Sequence, residues 1–346
     1  MQLGLQLGYW GAAPPVGAAE LVVEAERSGF DAVFAAESWG SDAFTPLAWW
    51  GARTDRVLLG TSVVQMSART PTACAMHALT LDHLCGGRAV LGLGVSGPQV
   101  VEGWYGAPFG KPLARTREYV SIVRQVLARA EPVRSAGPHY PLPYTGDGAV
   151  GLGKALRPIT HPLRADLPIW LGAEGPRNVA LAAEIADGWL AIWYSPRLAP
   201  TYEEWLAEGF ARAGARRQRA DFTVAVSCQV VVTDDPAPAV AGLKQSMALY
   251  LGGMGAPGMN FHADVFARMG YAAAVAEIGA LFREGRRDDA AAAVPDELIA
   301  DIAIIGPAAH VRTEVARWER AGVDMLVVGC RDAEQVRAVA DALAVR

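Results

Sequence analysis

Residues 56–94 read RVLLGTSVVQMSARTPTACAMHALTLDHLCGGRAVLGLG, and this stretch decides the fold. Arg56–Val64 and Arg88–Gly94 are continuous apolar runs, which is typical of strands buried on both faces of a parallel sheet. Between them, Thr70-Pro71 supplies an N-cap and a first-turn proline, so the pattern predicts a helix that stops before Gly86. The stretch therefore predicts a strand–helix–strand unit with a right-handed crossover.

The same alternation extends over most of the chain. The predicted strands are Gln2–Gly8, Asp31–Ala36, Arg56–Val64, Arg88–Gly94, Leu167–Gly172, Asp187–Tyr194, Phe222–Thr233 and Asp324–Gly329. The predicted helices are Ala18–Ser28, Thr45–Thr54, Thr70–Leu84, Leu113–Arg129, Pro176–Ile185, Pro200–Gly214, Pro238–Leu251, Pro307–Ala321 and Ala333–Val345. Eight such units predict an α/β fold, a (β/α)8 TIM barrel formed by residues 1–346 as a single domain. An open doubly wound sheet is the alternative, and it also places chemistry at the carboxyl ends of the strands.

Two segments interrupt this rhythm. Residues 130–165 are rich in proline and glycine, and we expect an excursion with a small hairpin there. Residues 252–300 form a second excursion, for which the pattern predicts helices over Tyr271–Arg283 and Arg286–Ala293. Asp301–Ile305 is expected to add a short extra strand. We interpret both segments as insertions on one barrel.

Composition excludes several classes of function. Of the 346 residues, 52% are hydrophobic and 19% are charged, so we do not expect a disordered chain. The formal net charge is -5, so we do not expect a nucleic-acid partner. Proline, glycine or charge interrupts each apolar run, and Met1–Gly8 lacks a basic segment, so we expect no membrane span and no signal peptide. Cys74, Cys85, Cys228 and Cys330 lack zinc-ligand spacing, which predicts reduced thiols, a cytoplasmic location and no metal.

Glycine-rich segments follow two of the predicted strands. Gly92–Gly97 matches G-x-G-x-x-G, but it does not lie in a first β-α-β unit, and Glu118, the acid at the expected distance, lies inside a predicted helix. We therefore interpret these glycines as room for a flat ring to approach backbone N–H groups. Gly172–Pro176 opens a helix whose first N–H groups suit an anion. Together they favour a planar, phosphorylated cofactor, and ordinary tight loops are the alternative.

Other strand ends carry candidate substrate groups. Glu37, Ser38 and Trp39 end the second strand, and an acid and a hydroxyl beside an indole suit a substrate, although a solvated loop is the alternative. His262 follows Asn260 in the second excursion, where a lid would lie. The expected pocket is apolar and aromatic, and its candidate residues are Trp10, Trp39, Met66, Asn260 and His262.

The order of short motifs along the chain resembles the bacterial luciferase-like oxidoreductases over almost its whole length. These motifs are Gly29-Phe-Asp-Ala-Val33, Leu59-Gly-Thr-Ser-Val63, Thr70-Pro71, Leu81-Asp-His-Leu84, Gly86-Gly-Arg88, Gly92-Leu-Gly94-Val95 and Ala186-Asp-Gly-Trp189. The most specific part is Leu84-x-Gly86-Gly87-Arg88 followed by Gly92-x-Gly94. In addition, Gly97–Val100 with Phe109–Pro112 resembles the branch that uses the deazaflavin coenzyme F420 rather than FMN.

The resemblance implies a TIM barrel whose insertion covers the cofactor, a non-prolyl cis peptide at Ser62-Val63, and a homodimer. The family's cofactor contacts map onto Glu37, Ser62, Val63, Gly94, Val95, Ser96, Gly172, Ala173, Glu174, Gly175 and Pro176. The sugar-phosphate dehydrogenases of the family carry a histidine where this chain has Ser38 and a glutamate where it has Val95. Their phosphate-binding lysines are not evident here either, so we argue against sugar-phosphate oxidation.

These observations predict an F420-dependent oxidoreductase that transfers a hydride between deazaflavin C5 and a small organic substrate. A carbon at position five gives no ready route to oxygen activation, which favours a reductase of an activated C=C, C=N or C=O. Ser38 and His262 are the candidate proton-transfer groups. The alternatives are an FMN-dependent two-component monooxygenase and a non-catalytic flavin- or deazaflavin-binding protein.

Overall fold

A computed structural model describes residues 1–254 and 260–343. Its strands within those residues are β1 Gln2–Gln6, β2 Ala32–Ala35, β3 Leu58–Thr61, β4 Val64–Gln65, β5 Ala89–Gly94, β6 Ile169–Gly172, β7 Gly188–Ala191, β8 Thr223–Val232, β9 Ala303–Gly306 and β10 Met325–Val328. The helices of the first half are α1 Ala18–Arg27, α2 Phe44–Gly51, α3 Pro71–Leu84, α4 Pro98–Gly103, α5 Pro112–Ala128 and α6 Pro176–Ile185. Those of the second half are α7 Ala199–Phe210, α8 Ala237–Gly252, α9 Phe261–Phe266, α10 Ala272–Arg283, α11 Arg287–Ala292, α12 Asp296–Ile302, α13 Ala308–Arg320 and α14 Ala333–Ala342.

Eight parallel strands close into a barrel in the order β1, β2, β3, β5, β6, β7, β8 and β10. The last strand closes it, because Met325 of β10 pairs both with Gln2 of β1 and with Ala225 of β8. This closure confirms the predicted TIM barrel, since an open doubly wound sheet would leave two unpaired edge strands. All eight carboxyl ends lie at one end of the barrel, which we call the mouth.

Large side chains fill the barrel interior where glycines on neighbouring strands leave room. Phe34 on β2 and Trp170 on β6 lie with their ring centroids 5.9 Å apart. A Cβ placed on Gly4 of β1 would lie 2.7 Å from the Phe34 ring, and one on Gly60 of β3 would lie 2.3 Å from it. Because β1 and β3 flank β2, these two glycines determine that a phenylalanine fits between them.

The two excursions differ in how they are built. The first contains one isolated antiparallel bridge, Ser135 with Leu142, in place of a full hairpin. The second forms a satellite core of its own, in which Met247, Phe266 and Ile278 are completely or almost completely buried. The expected extra strand is present as β9, which pairs in parallel with Gln229–Val232 at the end of β8.

Some predicted boundaries differ from the structure. The third strand was expected to run to Val64, but β3 ends at Thr61 and the chain resumes pairing as β4 after a cis peptide at Ser62-Val63. The helices α4, α9 and α12 were not predicted, since each is only six or seven residues long and shows little periodicity. The last helix ends at Ala342, and the predicted end at Val345 lies outside the described residues.

One stretch of the described chain, Phe261–Arg283, is long and apolar enough to cross a membrane when only length and composition are considered. It spans 23 residues with a mean hydropathy of 1.4. In the structure, Gly270 at φ 100° interrupts its helical geometry and separates α9 from α10. Both helices contact α8 in the satellite core, so this stretch is two short packed helices.

The four cysteines are all buried, and none forms a disulfide. This agrees with the predicted free thiols. Burial raises the pKa of the Cys74 thiol to about 11 and that of Cys330 to about 12, which keeps both thiols protonated near neutral pH.

Candidate active site at the mouth of the barrel

The segment between β3 and β4 crosses the mouth of the barrel. The peptide bond between Ser62 and Val63 is cis, as the family resemblance implied. Ser62 donates its backbone N–H to the Ala35 carbonyl at 2.7 Å, and Glu37 donates its own to the Val63 carbonyl at 3.1 Å. The side-chain amide of Gln6 donates to the Ser62 carbonyl at 3.3 Å. Contacts from β1 and from the end of β2 therefore fix this segment.

The glycines after β5 and β6 make room for the Val63 side chain. A Cβ on Gly94 would lie 2.4 Å from Cγ2 of Val63, and a Cβ on Gly172 would lie 3.3 Å from Cγ1. Gly92 faces Thr61 instead, where a Cβ would lie 1.9 Å from the Thr61 carbonyl oxygen. The G-x-G spacing thus has a packing cause in this chain. Because Val63 contacts both Gly94 and Gly172, the loops after β5 and β6 begin side by side.

Several backbone N–H groups at these two loops have no acceptor within the described residues. Among residues 1–254 and 260–343, no hydrogen bond engages the backbone N–H of Val95, Ser96, Glu174 or Gly175. Ser96 has φ 60°, in the left-handed region, so the chain turns sharply directly after the strand. Amide N–H groups that converge after parallel strands form a site for negative charge.

The loop after β6 is also the entry to helix α6. Gly175 is the N-cap residue and Pro176 occupies the first helical position. Ala173 is buried, and its carbonyl accepts a hydrogen bond from the indole N–H of Trp189 at 2.8 Å. From the second excursion, Arg268 donates to the Glu174 carbonyl at 3.0 Å. The exposed side chain of Arg177 follows in the first turn, so two cations accompany this helix N-terminus.

Glu37 is the carboxylate at the end of β2, and it is held by an arginine. Arg69 donates to both carboxylate oxygens, at 2.8 and 2.7 Å, and the backbone N–H of Gln65 donates to Oε2 at 3.0 Å. The Glu37 side chain is 4% exposed. Burial alone would lower the pKa of Arg69, but its hydrogen bonds with Glu37 raise it above the ordinary range. The carboxylate is therefore buried, and its two oxygens are already paired.

A second polar group at the mouth joins the barrel to the second excursion. Nδ1 of His262, on α9, lies 2.9 Å from Oε1 of Glu174 and 3.2 Å from Nε1 of Trp193. The ring of Tyr250, on α8, lies 5.3 Å from the imidazole at an interplanar angle of 82°. Asn260 caps α9 by accepting from the Ala263 N–H at 3.1 Å.

The remaining predicted pocket residues lie at different depths. Trp39 is 55% exposed after β2, and Trp10 is half-buried after β1. Ser38 is half-buried between Glu37 and Trp39, and its hydroxyl takes part in no hydrogen bond with the described part of the chain. Met66 is buried and lines a narrow cavity beneath the mouth together with Gly94. Trp10, Trp39 and Ser38 thus lie at the surface of the mouth, and Met66 lies in its wall.

Sequence reasoning missed two groups that complete this site. Arg69 lies 32 residues from Glu37, and the sequence gives no local signal for that pairing. Tyr250 lies on α8, which packs against the helices of the second excursion, and burial, together with the neighbouring Tyr9 hydroxyl, raises its pKa. The closeness of Glu174 and Trp193 could have been found, because they follow the adjacent strands β6 and β7.

A larger cavity lies at the opposite end of the barrel. It has a volume of about 1000 Å³ and is lined by Met1, Gln2, Glu26, Arg27, Gly29, Asp31, Arg56, Glu319, Val323, Asp324 and Leu343. This is the amino end of the strands, where residues of a TIM barrel serve stability rather than chemistry. Within the part of the chain that the structure describes, no cluster of side chains could hold a metal ion.

The sequence of this chain matches a known protein family and a close relative. The family model described as luciferase-like monooxygenase matches residues 6–325. A Mycobacterium tuberculosis protein with the provisional name coenzyme F420-dependent oxidoreductase is 69% identical over 340 residues, which cover 98% of each chain.

Solved structures give the same fold. The coenzyme F420-dependent tetrahydromethanopterin reductase of Methanopyrus kandleri superposes with a TM-score of 0.81 at 23% identity, covering 99% of this chain and 98% of that one. An F420-dependent secondary alcohol dehydrogenase, solved with an F420-acetone adduct, has a TM-score of 0.76 at 18% identity, with 100% and 99% coverage. At such identities the likeness establishes the architecture only.

Proposed function

The chain belongs to the luciferase-like monooxygenase family, and on that premise we propose that it reduces an activated C=O, C=N or C=C bond of a small organic molecule with reduced coenzyme F420. The cofactor follows from the relative that is 69% identical over 98% of each chain and is named for F420. The class of substrate is the further step, and it rests on the residues at the mouth.

The residues of the mouth fit a deazaflavin. The observation that carries the proposal is the set of four backbone N–H groups, at Val95, Ser96, Glu174 and Gly175, which have no acceptor among the described residues. They stand at loops that Val63 brings side by side. A reduced deazaflavin carries negative charge on its pyrimidine portion, and amide N–H groups suit that charge.

The tail of the cofactor is polyanionic and needs positive groups as well. The N-terminus of α6 begins in the same loop, and Arg177 and Arg268 accompany it. The net charge of the chain is -5, so a general positive field does not attract the tail. Local N–H groups and these arginines would hold it.

The expected chemistry divides between cofactor and protein. When bound, the reduced deazaflavin supplies a hydride from C5. The protein's residues orient the two reactants, and the aromatic rim formed by Trp10, Trp39 and Trp193 would keep water away from them. A proton donor completes the reduction, because the substrate atom that gains the electron pair must be protonated.

Two features favour reduction of a small carbonyl-type substrate. The Glu37 carboxylate is fully engaged by Arg69, so it is poorly placed to remove a proton from an alcohol. The family resemblance implies that Ser38 and Val95 occupy the positions at which its sugar-phosphate dehydrogenases carry a histidine and a glutamate. Another polar side chain at the mouth is His262, whose Nε2 takes part in no hydrogen bond with the described residues, and it lies beside aromatic groups.

Fluorescence titration tests the cofactor, with FMN as the comparison ligand. We expect oxidised F420 to bind at least tenfold more tightly than FMN. A dissociation constant for F420 above about 100 µM, equivalent to roughly -5.5 kcal/mol, would contradict the proposal.

Single-turnover measurements test the reaction. Protein loaded with reduced F420 is mixed with a panel of enones, imines and ketones, and reoxidation of the cofactor is followed by absorbance. We expect reoxidation with at least one class. Stoichiometric binding without reoxidation by any of them would favour the non-catalytic binding protein instead.

A homodimer is part of the same proposal. Trp49 on α2, and Met76 and Leu84 on α3, are exposed apolar side chains on two helices that pack against each other. Analytical ultracentrifugation is expected to give twice the chain mass, and substitution of Trp49 by glutamate is expected to return the mass of a single chain.

A further inference from the structure

The turn at Gly270 is tied to the barrel by one arginine. Gly270 has φ 100° and separates α9 from α10. Arg197 belongs to the short turn Pro196–Leu198 that follows β7. Its Nη2 donates to the carbonyl oxygen of Met269, directly before Gly270, at 2.8 Å. The same nitrogen donates to Oδ2 of Asp301 at 2.7 Å, so it joins the barrel both to the turn and to α12.

Asp301 extends this contact to the other side of the turn. The hydroxyl of Tyr271, directly after Gly270, donates to Oδ2 of Asp301 at 2.8 Å. The Arg197 guanidinium also lies 6.0 Å from the centre of the Tyr271 ring, within the range of a cation–π contact. Burial and the hydrogen bond to Asp301 raise the pKa of Tyr271 to about 12, so the phenol keeps its proton near neutral pH. We call Arg197, Asp301 and Tyr271 the clamp.

The carboxylate of Asp301 is the centre of the clamp. Its side chain is 11% exposed, whereas that of Arg197 is 50% exposed. A nearly buried carboxylate needs a cation or hydrogen-bond donors. Within the described part of the chain, its donors are Arg197 and Tyr271. The Gly270 turn is therefore held on both sides through one carboxylate.

The helix before this turn lies on the mouth of the barrel. On α9, the ring of Phe261 stacks with that of Phe109, with ring centroids 6.3 Å apart, and Phe109 lies in the connection from β5 to α5. His262, the next residue on α9, accepts a hydrogen bond at Nδ1 from the indole N–H of Trp193, which follows β7, at 3.2 Å. The helix thus contacts the segments after two strands of the barrel.

The loop after β6 is contacted from the same part of the chain. Arg268, between α9 and the Gly270 turn, donates to the Glu174 carbonyl at 3.0 Å. Glu174 carries one of the four backbone N–H groups that have no acceptor among the described residues, and the connection from β5 to α5 begins with two others. Residues 261–268 therefore contact both segments that carry these groups.

Both ends of this stretch are fixed. At its start, the side-chain amide of Asn260 donates to the carbonyls of Tyr250 and Leu251 on α8, at 2.9 and 3.1 Å. At its end stands Gly270, and a glycine has the widest conformational freedom of all residues. The angle of the turn therefore depends on outside contacts, and the clamp supplies them.

We infer that Arg197 is a positioning residue for the bound cofactor: with Asp301 and Tyr271 it fixes the Gly270 turn and so holds α9 against the segments after β5, β6 and β7. This inference rests on the proposed function for the identity of the ligand. Without the clamp, α9 should leave these segments more often, and bound F420 should dissociate faster. The clamp acts on how long the cofactor stays bound rather than on the transfer of the hydride.

The first experiment needs no cofactor. Amide hydrogen exchange is followed by mass spectrometry in peptides from residues 260–271, with peptides from β8 as the reference. We expect Arg197→Met to speed exchange in the first set about tenfold or more and to leave the second set unchanged. Equal exchange of residues 260–271 in Arg197→Met and the wild type would overturn the inference.

Further variants make this measurement specific. Both hydrogen bonds of Arg197 leave one nitrogen, so the ammonium of Arg197→Lys should replace them in part and recover part of the protection. Tyr271→Phe removes one hydroxyl and should speed exchange less than Arg197→Met does. Arg287→Met is the matched control, because Arg287 is exposed on α11 with its guanidinium over the Phe282 ring, and it should leave exchange of residues 260–271 unchanged.

The second experiment measures the dissociation of oxidised F420 by stopped-flow fluorescence. We expect Arg197→Met to raise the dissociation rate constant about tenfold or more, with the association rate constant within about threefold of the wild type. Arg197→Lys should fall between Arg197→Met and the wild type. Faster exchange with an unchanged dissociation rate constant would show that the clamp holds the turn but not the cofactor, and would overturn the inference.

The outcomes remain separable if a variant or the ligand fails. Should Arg197→Met not fold, Tyr271→Phe takes its place, and an unchanged dissociation rate constant in Tyr271→Phe would overturn the inference. Failure of the wild type to bind F420 would refute the proposed function. The exchange of residues 260–271 would still test the clamp, because it is measured without a ligand.

Discussion

The side chain of Val63 occupies the space into which a Cβ on Gly94 would project, at 2.4 Å from Cγ2. We therefore expect Gly94→Ala to destabilise the protein by about 1–3 kcal/mol through overpacking. It should also weaken F420 binding, because Val63 would be pushed from between the loops after β5 and β6. Urea unfolding and fluorescence titration measure the two effects.

Two controls belong to that measurement. Gly242→Ala, on α8, adds a Cβ with nothing within 4 Å, so it should weaken neither stability nor F420 binding. Gly94→Ala combined with Val63→Ala removes the clash and should recover stability relative to Gly94→Ala alone. Equal losses in Gly94→Ala and Gly242→Ala would show that the contact has no energetic consequence.

Breaking the Glu37–Arg69 ion pair should strongly destabilise the protein. Removing one partner leaves the other charge buried, so we expect Arg69→Met to cost about 3–5 kcal/mol in the free energy of unfolding. For comparison, the more exposed Arg337 pairs with Glu24 at 2.9 Å, and Arg337→Met should cost less than about 1 kcal/mol. Similar losses in both variants would contradict the assigned role of Arg69.

The fit of Phe34 between Gly4 and Gly60 predicts a coupling in the barrel interior. Gly60→Ala should be destabilising, because its Cβ would lie 2.3 Å from the Phe34 ring. Phe34→Leu should destabilise the Gly60→Ala variant less than it destabilises the wild type, because the smaller side chain relieves this contact. A double-mutant cycle in urea should give a coupling energy of about 0.5–3 kcal/mol, and strict additivity would refute the contact.

Acid should weaken the protein partly through Glu184. Its hydrogen bond from Arg117 lowers its pKa below the ordinary 4.5, burial opposes this, and Arg212 lowers it further. Because the folded-state pKa is the lower one, the stabilisation is present above 4.5 and is lost as pH falls through the folded-state value. Glu184→Gln should lower the urea midpoint at about pH 7, and the difference from the wild type should shrink as the pH falls below 4.5 and through the folded-state pKa. A difference that stays constant over this pH range would contradict the linkage.

Much of the fold could be predicted because barrel strands have a strong signal. Strands such as Ala89–Gly94 are buried on both faces, so their apolar runs are continuous, and their short length and flanking glycines separate them from helices. The helix begun by Thr70-Pro71 was also placed correctly, and Thr70 caps it by accepting from the Ala73 N–H. Residues close together in the sequence were sufficient to predict such elements.

Other features depend on contacts between distant segments. The G-x-G glycines were interpreted as room for a ring, and the structure adds that Gly92 and Gly94 make room for Thr61 and Val63. The partners of Glu37 and His262 lie 32 and 88 residues away and in different elements. No periodicity or spacing encodes such pairs, which arise only when the barrel closes.

The closure of the barrel by β10 has a consequence for biosynthesis. β1, the first strand to leave the ribosome, pairs with a strand that begins at Met325. Until β10 emerges, β1 and β8 both expose unpaired edges, and such edges can pair with other nascent chains. One of these two exposed strands is β1, whose last residue, Gln6, donates a hydrogen bond to the Ser62 carbonyl at the mouth. We therefore expect the mouth to be assembled late, with chaperone demand concentrated between the synthesis of β8 and that of β10.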